Sequence, residues 1–231
     1  MGISLGAIFG LARRQPLSTR TQLFLRNLVG GLTIIFGLRL VYQGVAGPVL
    51  TCLEMILTAL IAIFLGFWIG KILGLQSISN RLGRLASNTI AAAQQNHGAR
   101  AADGFNALAV LFCAAPLGIV GAVADGLWGY SYLLAVKALM DALAMAGFIK
   151  IFRWPSALAA LPVFVFYSAI SLAVQLCAKE YLSPPSLNSI AAAAGLIACI
   201  IAVVMFGIRK VELANYLPAL AVAPLLVRLF H

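Results

Sequence analysis

Lys137 and Asp141 stand four residues apart inside the apolar run 131–151. At helical spacing they share one face and can pair. Ionisable side chains are costly in hydrocarbon and face a bundle interior or a wet cavity. Lys before Asp is the weaker order for stabilising an isolated helix, so helix stability alone does not explain the pair. Two readings fit it, an ion or proton site and a buried structural ion pair. The neighbouring run FCAAPLGIVG (Phe112–Gly121) holds Pro116 near its centre. Proline has no N–H, so the carbonyl of Phe112 loses its helical partner. Gly118 and Gly121 soften the same stretch. A freed carbonyl at membrane depth is tolerated only where protein or water covers it. The break is therefore either a discontinuous helix offering backbone groups from Cys113 to Gly118, or a packing kink. Asn215, Pro218 and Pro224 interrupt the last apolar run, and Asn215 either bridges freed backbone groups or faces a solute.

Other chemistry finds no foothold. Cys52, Cys113, Cys177 and Cys199 sit singly in apolar runs, and His97 and His231 lack ligand-type neighbours. No zinc spacing, phosphate-cradling loop or nucleophile–base arrangement is present. The expectation is a protein that is not an enzyme and uses no cofactor or metal.

The elements that must position these groups follow from composition. Of 231 residues, 63% are hydrophobic and only 10% charged. Soluble domains carry about 25% charged residues. A folded sphere of this size cannot hide so much apolar surface, which excludes a soluble enzyme or nucleic-acid-binding domain. The lipid bilayer is the expected partner and solvent, and spans in it must satisfy their backbone internally. Continuous apolar runs, without alternation, indicate helices. Seven long segments are read at roughly 23–42, 48–73, 104–126, 131–151, 156–178, 186–208 and 213–230, after a short one at Gly2–Ala12. The fold expected is an all-α polytopic membrane protein of eight segments. Residues 76–103 are too polar to span. There Ile78, Leu82, Leu85 and Ile90 recur at near-helical spacing opposite Arg81 and Arg84, which predicts an amphipathic helix at the membrane interface.

The formal net charge of +10 is read as topology. With alternating loops, twelve of the 16 Lys and Arg residues collect on one side and three on the other. The richer side is expected to be cytoplasmic, with both termini outside. Glu54 is expected to pair with Arg39 or Arg228 near the outer surface.

FGLRLV (Phe36–Val41) resembles FGIRKV (Phe206–Val211), and the match runs on through Pro48 and Pro218 to Leu50 and Leu220, with six identities in fifteen residues. The copies are separated by five segments, so they would be upside down relative to each other. Inverted repeats recur in secondary transporters. The organisation read from this is repeat one (1–73), an interfacial helix and loop (74–103), a central two-helix unit with the proline break (104–151) and repeat two (152–231). Gly2, Gly6 and Gly10, and again Gly66, Gly70 and Gly74, form flat strips for close helix contact, within the chain or in a homo-oligomer.

FCAAPLGIVGAVADG (Phe112–Gly126), Lys137 with Asp141, ALPVFVFYS (Ala160–Ser168) and NYLPAL (Asn215–Leu220) together resemble the domain-of-unknown-function 554 family of predominantly bacterial inner-membrane proteins. This chain has Ala142 where the family pattern often has glycine. The resemblance implies an inner-membrane location and a polytopic fold, and says little of substrate. The leading functional expectation is a secondary transporter for a small solute or ion, with Asp141, Lys137, Cys113, Pro116, Gly118 and Asn215 as its site. A passive channel and a non-transporting scaffold are the alternatives.

Overall fold

A computed structural model of the chain describes residues 2–12, 18–45, 47–95, 101–177 and 182–230, and among these there is no strand. His97, His231, Arg13, Arg14, Arg100 and Lys179 lie outside the described residues. The helices are α1 (Gly2–Ala12), α2 (Thr19–Gly44), α3 (Val49–Ile72), α4 (Leu75–Gln95), α5 (Ala101–Cys113), α6 (Pro116–Trp128), α7 (Tyr132–Phe152), α8 (Ala160–Cys177), α9 (Pro184–Met205) and α10 (Ala219–Phe230). Short 3-10 turns, Trp154–Ala159 and Leu213–Tyr216, precede α8 and α10.

Proline and glycine punctuate the chain as their chemistry requires. Pro116 opens α6 and Pro184 with Pro185 opens α9, where the missing N–H has no helical acceptor to lose. Gly129, at φ 67°, closes α6 in the left-handed region.

Among the described residues, five helical stretches are long and apolar enough to cross a membrane: α2, α3, α7, α9 and the run Trp154–Leu176, which holds most of α8. The bent pair α5–α6 makes a sixth if it is one span. Gly2–Ala12 and Leu213–Leu229 are apolar but shorter. Length therefore supports five or six spans, against the eight expected. Phe64, Leu161, Phe164 and Leu172 point outward. Water would penalise such faces, and lipid does not.

Small residues let the helices meet backbone to backbone. Gly2, Gly6 and Gly10 of α1 meet Ala138, Ala142 and Ala146 of α7 in order, so the two helices run parallel. A Cβ at any of the three would collide with the α7 backbone. Tyr167 lies beside Gly118, and Ser171 beside Gly126, which makes α8 parallel to α6. α2 crosses α9 in the opposite sense: Gly30 meets Phe206, Gly37 meets Gly195 and Gly44 meets Asn188. Gly66 and Gly70 of α3 meet Ala219 and Asn215. Gly74 instead takes φ +66° in the turn before α4. The five packed glycines of the two strips face partners inside the chain.

α9 lies at the centre, with Ala191–Ala194 almost wholly buried. One apolar core gathers Val29, Leu133, Val136 and Ile197 between α2, α7 and α9. A second joins Ile3, Leu108, Met145 and Val163 from α1, α5, α7 and α8. α7 therefore has apolar packing on both flanks.

α4 is one continuous helix, as the spacing predicts, but its apolar stripe divides. Leu82, Ala86 and Ile90 turn inward, whereas Ile78 and Leu85 are exposed, as are Arg81 and Arg84. The repeated motif takes two local shapes, and one further expectation is corrected. Phe36–Val41 lies within α2, but Phe206 ends α9 and Gly207 turns the chain at φ +74°. The two copies of the motif thus have different backbones, while Pro48 and Pro218 both directly precede a helix. Glu54 pairs with neither Arg39 nor Arg228, because the ion pair among the described residues is Lys137–Asp141. The Arg39 guanidinium lies over the rings of Tyr130 and Tyr132, at 5.6 and 5.4 Å.

Candidate functional site

The site is built around the break at residues 114–115. α5 and α6 meet there at a bend of 59°. The Phe112 carbonyl, which would have bonded the missing N–H of Pro116, accepts two side-chain donors instead. Lys137 Nζ donates to it at 2.8 Å and the Tyr167 hydroxyl at 2.7 Å. The same hydroxyl is 3.2 Å from the Cys113 carbonyl. The cost of the broken helix is thus offset by two hydrogen bonds, one of them charge-assisted.

Lys137 also donates to Asp141 Oδ2, completing an i,i+4 ion pair on α7. Both residues are buried, at 3% and 7% exposure. Buried charges persist only when paired and hydrogen-bonded, and here the ammonium has both partners. It also lies 5.3 Å from the ring centres of both Phe112 and Tyr167. The cation is held by two aromatic faces, a carbonyl and a carboxylate.

The pair opens on a cavity of about 580 Å³ between α6, α7 and α8, bordered on one side by Gly2 and Ile3. This volume falls in the range of small-molecule sites, about 300–1,000 Å³. Asp125, Ser131, Ser168, Ser171 and Gln175 supply further polar groups to its wall. The Ser171 hydroxyl donates to Asp125 Oδ2 at 2.7 Å. One face of α8 is therefore polar over two turns, in a helix otherwise suited to lipid.

The sequence-derived residues separate into two groups. Lys137, Asp141, Cys113, Pro116 and Gly118 come together at the break. Gly118 contributes space, because a Cβ there would land on the Tyr167 ring. Asn215 lies elsewhere. It is 1% exposed, accepts from the Gln76 backbone N–H at 3.1 Å and donates to Glu212 Oε2 at 2.8 Å. The Gln76 side chain returns a bond to the Ala214 N–H at 3.1 Å. Asn215 thus fastens α4 to the turn before α10, and it does not line the cavity with Asp141.

Tyr167 is the residue that sequence reasoning left without a role. Its signal is a phenol in the middle of an apolar span, where the hydroxyl needs a buried partner. Among the described residues no group of three or more His, Cys, Asp or Glu could hold a metal ion.

An ion pair buried at a broken helix, within a bundle whose outward faces are apolar, defines a membrane protein of the all-helical class. The chain belongs to the family described as "Protein of unknown function (DUF554)", whose model matches residues 1–228. It is 24% identical over 227 residues to the "Uncharacterized membrane protein YdfK" of Bacillus subtilis (strain 168), covering 98% of this chain and 92% of that protein. It is 23% identical over 222 residues to the "Uncharacterized protein YqgA" of Escherichia coli (strain K12), covering 96% and 90%. No solved structure matches the chain.

Proposed function

We propose that this protein is a secondary transporter that moves a small solute or ion through the cavity at Lys137 and Asp141. The observation that carries the reading is that Lys137, whose ion pair with Asp141 lines the cavity, also donates to the carbonyl released at the α5–α6 break. Discontinuous helices with exposed backbone groups at membrane depth are where such carriers bind their cargo. Asp141 holds a cation or proton in this reading. Lys137 balances it or meets an anionic group of the solute. Tyr167 and Gly118 fix the broken backbone, and Cys113 lies at the break. The protein makes and breaks no covalent bond.

The architecture we infer is two inverted three-helix repeats, α1–α3 and α8–α10, around α5–α7, with eight membrane segments in all. Part of the packing supports this by an exchange of partners, although α9 touches both α3 and α10 and α2 has no matching pair of neighbours. α1 runs parallel to α7 as α8 runs parallel to α6. α2 also touches α7 as α9 touches α6, while α2 meets α9 and α3 meets α10. Twelve of fifteen loop cations fall on one side, which supports placing that side in the cytoplasm of a bacterial inner membrane, with both termini outside.

The test is solid-supported membrane electrophysiology on proteoliposomes, with jumps of pH, alkali cations and small charged metabolites. A saturable transient current is expected for wild type and should be lost in Asp141→Asn. Flux that rises linearly with gradient and persists in that variant would favour a passive pore. No current across the panel would favour a scaffold.

A further inference from the structure

A second cavity, of about 450 Å³, lies between α1, α2 and α7 and is separate in its lining from the first. Its rim carries Arg26, Lys150, Thr19 and Gln22, and its depth is formed by residues such as Leu143, Met140 and Met205. None of its lining residues among those described is acidic. Among the described residues the ion pair is Lys137–Asp141, so neither Arg26 nor Lys150 is neutralised by a carboxylate. Arg26 rests against the end of α9, with Nη2 3.6 Å from the place a Cβ on Gly207 would take.

The rim lies at the depth of lipid headgroups. α7, with 21 residues, is about 31 Å long, close to the roughly 30 Å hydrocarbon thickness, and Lys150 is in its last turn. From Arg26 to the end of α2 at Gly44 is about 27 Å, which puts Arg26 at a similar level. From Lys150 to Met140 the cleft descends about 15 Å along α7. Gly147 lies on this path, is exposed, and has nothing within 4 Å of where its Cβ would stand. The cleft is therefore cationic at headgroup level and apolar below.

We propose that this cleft seats one anionic phospholipid, with its phosphate between Arg26 and Lys150 and an acyl chain running past Gly147 and Leu143 toward Met140. Basic pockets between membrane helices recognise anionic headgroups through this charge complementarity. The apolar depth selects a lipid over a free anion.

The test is native mass spectrometry of the full chain, released from micelles holding equal amounts of phosphatidylglycerol and phosphatidylcholine. Wild type should retain phosphatidylglycerol about thirtyfold more often, the scale set by two cations near a membrane surface. Arg26→Gln with Lys150→Gln should fall to parity. Gly147→Leu keeps both cations and fills the groove, so it should lose retention of either lipid while melting no lower than wild type. Arg81→Gln with Arg84→Gln, on α4, should leave the preference unchanged. Equal retention of the two lipids by wild type, unchanged retention by Gly147→Leu, or loss of the preference in the α4 variant would overturn the proposal. So would stabilisation by inorganic phosphate equal to that by phosphatidylglycerol, which would make the rim a site for a soluble anion.

Discussion

Tyr167 and Lys137 share a single acceptor, the Phe112 carbonyl, at 2.7 and 2.8 Å. A residue of α8 and a residue of α7 are thus tied through a backbone atom that proline has released from its own helix. The ion pair, the break and the cavity wall form one unit. A change in any of them should be felt by the others.

The ion pair provides the first expectation. Removing one partner leaves a buried charge unpaired, at a cost of about 3–5 kcal/mol. Asp141→Asn and Lys137→Met should each lower the melting temperature strongly in detergent. The double variant should be more stable than the sum of the two losses, because neither charge is then stranded. Additive losses in the double-mutant cycle would mean that the two residues do not act as a pair.

Tyr167 is expected to hold the break. Tyr167→Phe leaves its ring in place and removes the donor to a buried carbonyl, a loss of about 1–3 kcal/mol. Gly118→Ala should be at least as damaging, since its methyl group would meet the Tyr167 ring. Gly31→Ala is the comparison. It has open space at the Cβ and should be neutral or stabilising by up to about 1 kcal/mol. Thermal melts of the three variants order these effects.

The docking of α1 on α7 rests on absent side chains. Gly6→Val should displace α1, because its Cβ has no place against the Ala142 backbone. The expected readouts are faster proteolysis within residues 2–12 and a lower melting temperature. Equal protease resistance in Gly6→Val and wild type would show that α1 is not held this way.

Tyr130 supplies an expectation of the opposite sign. Its hydroxyl is buried without a hydrogen-bond partner among the described residues. Burial pushes its phenol above the ordinary range, with Arg39 partly opposing this. Tyr130→Phe removes an unsatisfied polar atom and keeps the ring beneath Arg39. It should leave the melting temperature unchanged or raise it, by the equivalent of about 1 kcal/mol.

Much of the site is legible because its signals are local. Pro116 identifies the released carbonyl by a count of four, and the spacing of Lys137 and Asp141 identifies the pair. Tyr167 was hidden because its acceptor is 55 residues away and nothing in ALPVFVFYS points to it. Asn215 likewise has a partner distant in sequence. Its chemistry suits a solute site, but its partner Gln76, 139 residues distant, uses that chemistry to fasten α4. Arg39 went to aromatic rings on the α6–α7 turn and α7, which a search for opposite charges does not find. The glycine strips were legible as close contacts, but their partners depend on tertiary packing.

The central claim is that the cavity at Asp141 binds a solute. The most direct measurement is a thermal-stability screen of wild type, Asp141→Asn and Tyr130→Phe in detergent, across pH, alkali and alkaline-earth cations, inorganic anions, and small amino and carboxylic acids. A ligand that binds only the folded state raises the melting temperature by mass action, by about 2.7 kcal/mol of stability at a hundredfold excess over Kd. The account expects one chemical class to stabilise wild type and Tyr130→Phe but not Asp141→Asn. A class that stabilises all three equally, or none at all across the panel, would contradict it.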